Sequence, residues 1–412
     1  MTSRLENNPT KVLPKENSVG KEFPSHHNDL MKSSEEWVHT TLKHVSAIKT
    51  GTKNNQDKDP AGKYPFFVRS AHIERIKSAS YDGEAILIPG EGGIGSIFHY
   101  VNGKHEVHQR VYRISNFSTN VSAKFLYFYL KNFFGPYAMK NSVKATVDSL
   151  RLPTFLEFPI LMPPTFSEQE RIVAALDDVH LLVDSQNELI AKKRLMKQGA
   201  MQQLLTGLTR LPGFKGDWTS SHLGDIGTFR GGTGFPLHFQ GSSHGEIPFF
   251  KVSDMNIKGN ESRMLVSNNS VEASQLSALG ASPFEAGSIV FAKVGAAVFL
   301  ERKRLLIKSS CLDNNMAGFS LDNGLNDPQF FFYWFQGFHL SDLVAATALP
   351  SINNSQLNQI EASYPKLEEQ LAIAKVLSDM DAEIDALVAR RDKTVLMKTG
   401  MMQDLLTGKV RI

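Results

Sequence analysis

At 412 residues, with 41% hydrophobic and 21% charged residues, the chain has ordinary globular composition and room for about two or three domains. A formal net charge of +3 excludes a protein that coats nucleic acid by bulk charge, so any polyanion contact has to be local. The one cysteine, Cys311, excludes an internal disulfide framework and a cysteine-ligated zinc site, and it fits a reducing cytoplasm.

Residues 1–36 are polar, rich in Lys, Asn, Ser and Pro, and aperiodic, which predicts a disordered tail. They lack the apolar centre of a signal peptide, and no run is long and apolar enough to span a membrane. A first globular segment, 37–165, opens with "WVHTTLKHVSAIKTGT" (Trp37 to Thr52) and continues through "YPFF" (Tyr64 to Phe67) and the β-like run "EAILIP". Gly90, Gly92 and Gly95 then satisfy G-x-G-x-x-G. A dinucleotide site needs a helix next, whereas "SIFHYV" alternates as a strand, so the glycines are expected to form a loop. "SIFHYVNGKHEVHQRVYRI" reads as a hairpin with Asn102-Gly103 as its turn. "FLYFYL" is too uniformly apolar to face water and predicts a core helix.

From residue 166 the pattern changes. Residues 166–211 hold a proline-free stretch in which Ile172, Leu176, Val179, Val183, Gln186 and Ile190 recur at spacings of 4-3-4-3-4, the coiled-coil period. Ser167 with Glu170 can form a capping box at its start, and Gly207 stands where a C-cap glycine is expected. A second globular segment, 212–366, contains "WTSSHLGDIGTFRGGT" (Trp218 to Thr233), "IPFF", "SIVFAK" and "FFFYWF", counterparts of the runs in the first. The 367–412 stretch repeats the helix: Ile373, Leu377, Met380, Ile384 and Leu387 keep the same rhythm, and Gly408 is the cap. "MKQGAMQQLLTG" (Met196 to Gly207) and "MKTGMMQDLLTG" (Met397 to Gly408) match at nine of twelve positions, 201 residues apart. The chain is therefore an internal duplication of mixed α/β units, each followed by a long helix. With one apolar seam apiece, the helices are expected to pack as an antiparallel pair.

Two divergent units, each followed by a near-identical helix that starts "EQ" and ends "LLTG", resemble the specificity subunit of type I restriction-modification enzymes. The resemblance covers residues 37–412. It implies two target-recognition domains related by a pseudo-two-fold axis, each reading half of a bipartite duplex DNA target, and helices that set the spacer. It further implies two adenine-methylating modification subunits docked on those helices, with restriction subunits joining them. S-adenosylmethionine is then expected in the modification subunit and no cofactor in this chain. The repeated box would be a docking surface used twice, through Lys197, Met201, Gln202 and Leu205 and their counterparts Lys398, Met402, Gln403 and Leu406.

Base readout needs Arg, Lys, Asn, Gln or hydroxyl side chains at groove edges. Lys49-Thr50-Gly51-Thr52 and its counterpart Arg230-Gly231-Gly232-Thr233 combine a cation with glycines that allow close backbone approach. Lys104 beside the Asn102-Gly103 turn, and Arg302, Lys303 and Arg304 in the corresponding place, could enter a groove as a β-ribbon. Arg69 and Lys251 lie just beyond the matched "PFF", and Arg110, Arg113, Lys144, Asn314 and Asn315 complete the candidates. His105-Glu106-Val107-His108 lacks the spacing of a zinc-protease pair, "MPPT" at Met162 lacks the flanks of a methyltransferase motif, and no Gly-Lys-Ser/Thr loop occurs. A non-catalytic chain is expected. The competing expectation is a coiled-coil scaffold that joins proteins without reading DNA.

Overall fold

The computed structural model describes residues 37–141, 149–322, 324–344 and 350–412, so the expected tail 1–36 and the candidate Lys144 lie outside the described residues. The chain divides into two compact units: one ends at Ser185 and takes in Arg391–Ile412, the other is Gln186–Arg390. The first contains β1 (Val38–Thr41), the helical turn α1 (Leu42–Val45), β2 (Ala47–Thr50), β3 (Tyr64–Phe67), β4 (Ile73–Ile76), β5 (Tyr81–Pro89), β6 (His99–Val107), β7 (Val111–Ser115), α2 (Ala123–Lys140), α3 (Leu152–Leu156), β8 (Pro159–Met162) and the start of α4 (Phe166–Leu204). Its main sheet has the order β2-β7-β5-β6-β3-β4, antiparallel except for the β3–β6 pair, and β1 pairs with β8 apart from it. Ile86, Ile88 and Ile114 of the sheet share one core with Phe125, Phe128 and Phe134 of α2, so the apolar run is the core helix its composition predicts. Ser122 caps it by accepting from the Phe125 N–H at 3.2 Å.

The Asn102-Gly103 turn does not exist. β6 runs through it, and Gly103 faces Gly83 across the ladder, both at positive φ. The turn signal is local, whereas the nine-residue β5 offers a partner that lets the strand continue.

The second unit contains the end of α4, then β9 (Thr219–His222), β10 (Gly227–Gly231), β11 (Ile247–Phe250), β12 (Arg263–Met264), β13 (Ser270–Val271), α5 (Leu276–Leu279), β14 (Ile289–Ala292), β15 (Lys303–Leu306), β16 (Cys311–Leu312), β17 (Met316–Leu321), α6 (Pro328–Gly337), α7 (Asn354–Asn358), β18 (Glu361–Tyr364) and the start of α8 (Leu367–Leu405). The order β10-β17-β14-β15 repeats β2-β7-β5-β6, and β11 pairs in parallel with β16 as β3 does with β6. The long β6 is thus split into β15 and β16. The extra length of this unit lies between β11 and β14, where β12 and α5 are inserted on either side of β13, the counterpart of β4.

The helices explain the repeated motifs. In the first unit the end of α8 runs antiparallel beside the start of α4: Lys398 Nζ meets His180 Nδ1 at 2.8 Å, and Arg411 holds Glu168 through two bonds of 2.9 Å. In the second unit the end of α4 does the same beside the start of α8, with Lys193 on Glu383 at 2.6 Å and Arg210 on Glu369 through bonds of 2.6 and 2.5 Å. Most of the predicted seam is buried, at Ile172, Leu176, Val183, Gln186, Ile190, Ile373, Leu377 and Ile384, whereas Val179, Met380 and Leu387 are half-buried. The "EQ" pair has two jobs. Its glutamate anchors the arginine beyond the other helix's end. Its glutamine fixes the cap of the core helix, Gln169 Oε1 accepting from Ser122 N at 2.7 Å and Gln370 Oε1 from Asp327 N at 2.8 Å. The first helix begins at Phe166, two residues earlier than a Ser167 cap implies, so its cap is Thr165, whose Oγ1 accepts from Glu168 N at 3.3 Å, and not Ser167. Gly207 and Gly408 adopt φ of +71° and +72°, as their C-cap position requires. Each also touches a tryptophan: a Cβ on Gly207 would lie 3.2 Å from Trp218, and one on Gly408 3.0 Å from Trp37.

Candidate nucleic-acid interface

Within each unit, residues far apart in sequence meet at one end of the sheet. In the first, the close approach of Gly51 to β6 leaves no room for a side chain, since a Cβ there would stand 1.7 Å from Val107 O. Lys53 O accepts from Gln109 N at 2.8 Å, Phe67 O from His108 N at 3.0 Å, Arg110 O from Gly90 N at 2.8 Å, and Gly90 O from Leu150 N at 2.8 Å. The end of β2, the loops after β3 and β5, the β6–β7 turn and Ser149–Leu150 are thereby knitted together.

The second unit repeats three of these four bonds, and in the fourth the donor and acceptor sides are exchanged. A Cβ on Gly232 would stand 2.0 Å from Asp313 O. Leu312 O accepts from Thr233 N at 2.9 Å, Phe250 O from Asp313 N at 2.9 Å, Asn315 O from Lys293 N at 2.9 Å, and Lys293 O from Ile352 N at 3.0 Å. Glu91 bridges to Ser149 as Val294 bridges to Ser351. The backbone frame is common, but the side chains it displays are not: Gln109 and Arg110 in one unit stand where Asn314 and Asn315 stand in the other. A fixed frame with exchangeable polar side chains suits two domains that meet different DNA, each side chain facing a base edge or a phosphate.

Several candidates gather here. Thr50, Gly51, Thr52, Arg69 and Arg110 lie at the end of the first sheet, with Lys49 exposed on β2. Gly231, Gly232, Thr233, Lys251, Asn314 and Asn315 lie at the end of the second, where Lys251 Nζ bonds Gln240 Oε1 at 2.9 Å and burial pushes the Asp313 carboxyl up. Arg302 is at the edge of the same end, bonded to Asn256 Oδ1.

Other candidates are committed elsewhere. Lys104 is exposed but opposes Asp82 within the β5–β6 ladder and is no hairpin tip. Arg113 lays its guanidinium over the Tyr81 ring at 4.2 Å, and Arg230 stacks on Phe284 at 4.2 Å while donating to Pro283 O at 3.0 Å. Arg304 is half-buried and donates to Lys303 O at 2.9 Å. Lys303 is fully buried, its Nζ 2.5 Å from Glu301 Oε2 and 2.7 Å from Phe338 O, and burial pushes its ammonium below the ordinary value. Glu301 also accepts the N–H groups of Leu340 and Ser341, so the pair ties β15 to the end of α6. Lys303→Ala is expected to cost about 3 kcal/mol of stability, because it leaves the half-buried Glu301 carboxylate without its cation, with no direct effect on DNA contacts. A variant with a normal urea midpoint and lost DNA binding would reverse that assignment.

Sequence reasoning passed over Glu91, His108, Gln109 and Lys293. The signal for Lys293 was available where "SIVFAK" aligns with "EAILIP" and Gly90. Burial holds His99 and His105 below the ordinary 6.5, and burial together with Arg69 and Arg110 does the same to His108, whose Nδ1 accepts from Arg110 N at 2.9 Å. A base with a depressed folded pKa binds fewer protons folded than unfolded. The first unit should therefore lose stability as pH falls below about 6.5. The urea midpoint reported by Trp37 is expected to drop between about pH 7.5 and about pH 5.5; an unchanged midpoint would contradict this.

The repeated box divides its residues. Leu204, Leu205, Leu405 and Leu406 are buried, Leu205 in the core of the second unit and Leu406 in that of the first, with Met201 and Met402 packed against those cores. The expectation that Leu205 and Leu406 face a partner is thus wrong, because each fills its unit's own core. Lys197 is engaged as well, paired with Asp381 at 2.5 Å and set over the Tyr333 ring, and Lys398 meets His180. Gln202 and Gln403 are exposed. So is the preceding turn in both copies, with Leu195 69% and Leu396 72% exposed beside Met196 and Met397.

Two copies of one recognition frame on long helices define a duplicated DNA-recognition protein. The family model described as "Type I restriction modification DNA specificity domain" matches residues 34–193 and again 215–396. The chain belongs to that family, the specificity subunits of type I restriction-modification systems. It is 20% identical over 411 residues to the type I restriction enzyme EcoDI specificity subunit of Escherichia coli, covering 91% of this chain and 88% of that one. It is 26% identical over 419 residues to the putative type I restriction enzyme MjaX specificity subunit of Methanocaldococcus jannaschii, covering 92% and 94%. Among solved structures, a type I restriction-modification S subunit from M. genitalium superposes with a TM-score of 0.60 at 16% identity, covering 90% of this chain and 96% of that one. A chain from a structural study of type I system assembly superposes with a TM-score of 0.58 at 14% identity, covering 90% and 97%. No helix among the described residues is long and apolar enough to cross a membrane, and no group of three or more His, Cys, Asp or Glu among them could hold a metal ion.

Proposed function

We propose that each globular domain reads one half of a bipartite duplex DNA target through the open end of its sheet. The paired helices set the unread spacer, seat two adenine-methylating modification subunits, and allow restriction subunits to join, in the cytoplasm. The chain itself is non-catalytic and binds no cofactor; S-adenosylmethionine belongs to the modification subunits. The observation that carries this reading is the shared backbone network with different polar side chains in the two units. The test is binding of the reconstituted complex to duplexes that differ only in sequence. Equal affinity for all of them would favour a scaffold that joins proteins without reading DNA. With a net charge of +3, the isolated chain is expected to bind DNA poorly.

For the modification subunit, the surface to test is the exposed turn common to both boxes, Leu195-Met196 and Leu396-Met397. Apolar side chains left open at matched positions in both copies suit one partner bound twice. Leu195→Glu with Leu396→Glu is expected to abolish co-purification of the modification subunit and to leave the urea midpoint within about 0.5 kcal/mol of wild type. Retained co-purification would move the docking site elsewhere.

A further inference from the structure

The open end of the first unit holds a feature its counterpart lacks. Glu91 stands between two arginines from other loops, its Oε2 at 3.4 Å from Arg69 Nη1 and its Oε1 at 2.9 Å from Arg110 Nη1. The arginine side chains are more than half exposed and that of Glu91 less than a quarter. Arg69 and Glu91 line a cleft of about 390 Å³ together with Asn55, Ser70, Glu74 and His108, and Arg110 reaches Glu91 from beside it. The backbone of Glu91 is pinned by its bridge to Ser149 and by the two bonds of Gly90. In the second unit the same backbone position is Val294, and the position of Arg110 is Asn315. The frame therefore forms without this carboxylate, and its presence here needs another reason.

An anion held by guanidinium groups from separate loops is how proteins grip a phosphate. Building on the DNA-reading function above, we propose that Arg69 and Arg110 form a backbone-phosphate site of the first domain, and that Glu91 occupies it as an internal stand-in until a DNA phosphate displaces it. While Glu91 is in place, the arginines are held apart and oriented. The three side chains then carry a net charge of +1 instead of the +2 of the arginines alone, which weakens the grip on arbitrary DNA. A phosphate has to compete with the carboxylate. A duplex that also satisfies the base contacts holds it there long enough, so the clamp widens the gap between cognate and arbitrary sequences.

Glu91→Gln tests this in the full chain, alone and reconstituted with modification subunits, using a labelled duplex of ~40 bp of arbitrary sequence across a range of KCl concentrations. The variant is expected to bind that duplex about threefold to tenfold more tightly at ~0.1 M salt, with the log–log salt slope steeper by about 0.9, the value of one phosphate. Its cognate-to-arbitrary ratio should fall. Adding Arg110→Ala should bring affinity back to the wild-type level or below, equally for every sequence. Binding by Glu91→Gln that matches wild type in affinity and slope overturns the proposal. So does an Arg110→Ala chain that accepts different bases in one half-site, because the arginine is then a base reader. A wild-type complex with no sequence preference would defeat the DNA-reading function itself. A complex that keeps its preference while Glu91→Gln changes nothing defeats the clamp alone.

Discussion

Leu406→Ala in the full chain is expected to destabilise the first unit by about 2–5 kcal/mol, the range for emptying a leucine site in a packed core. Leu406 is fully buried among Trp37, Leu42, Phe125 and Ile172, so the wall of the amino-terminal domain's core is supplied by the end of the second long helix, far along the sequence from that domain's own strands. Leu205→Ala should do the same to the second unit, where Leu205 sits with Leu223, Phe330 and Ile373. Trp37 belongs to the first unit and Trp218 and Trp334 to the second, so urea unfolding of chains keeping only Trp37 or only Trp218 assigns each loss to its unit. A Leu406→Ala chain with a normal Trp37 transition would show that the box is not part of that core. The same connectivity has a kinetic side. The first domain's core contains contacts between residues far apart in the sequence, which makes its completion slow and dependent on a segment synthesised long after its strands.

Replacing residues 37–165 with the equivalent segment of another family member is expected to exchange one half of the target completely and leave the other half unchanged. The side chains proposed to touch bases lie on the loops closing one end of each sheet, whereas the contacts to the helices are made by the repeated glutamines, Gln169 on Ser122 and Gln370 on Asp327, and by the apolar cores the helices share with the domains. On the function proposed above, reading and assembly use different parts of the same domain. The discrimination at stake is large, because each wrong base pair costs ~1–3 kcal/mol and a lost half-site sums several of them. Methylation-sensitive sequencing of a host carrying the hybrid system reads the outcome. A hybrid that alters both half-sites, or neither, would show that readout is not confined to the replaced domain.

The fold was legible where the signal is periodic. The heptad rhythm of Ile172 to Ile190 needs no tertiary knowledge, because seam positions recur at fixed spacing on any helix that buries one stripe, and Gly207 and Gly408 mark ends only glycine tolerates easily. Internal alignment also located Gly51 and Gly232, and both prove to be close-approach sites. Asn102-Gly103 misled because a turn preference of two residues is weaker than a ladder of seven residue pairs. Lys303 and Arg230 misled because a cation in a loop-like string looks solvated until its partners, Glu301 and the Phe284 ring, are known.

The repeated box marks the boundary between the two kinds of knowledge. Duplication, long helices and their ends follow from the amino-acid string alone, since identity at matched positions and heptad spacing are properties of the chain read in one dimension. Which of those identical residues face inward does not. Leu205 and Leu406 are buried because each helix's end returns to the start of the other and fills a core built by distant strands, while Leu195 and Leu396, equally apolar and ten residues earlier, meet nothing and stay open. Burial depends on what the folded chain brings alongside, and only the tertiary structure specifies that.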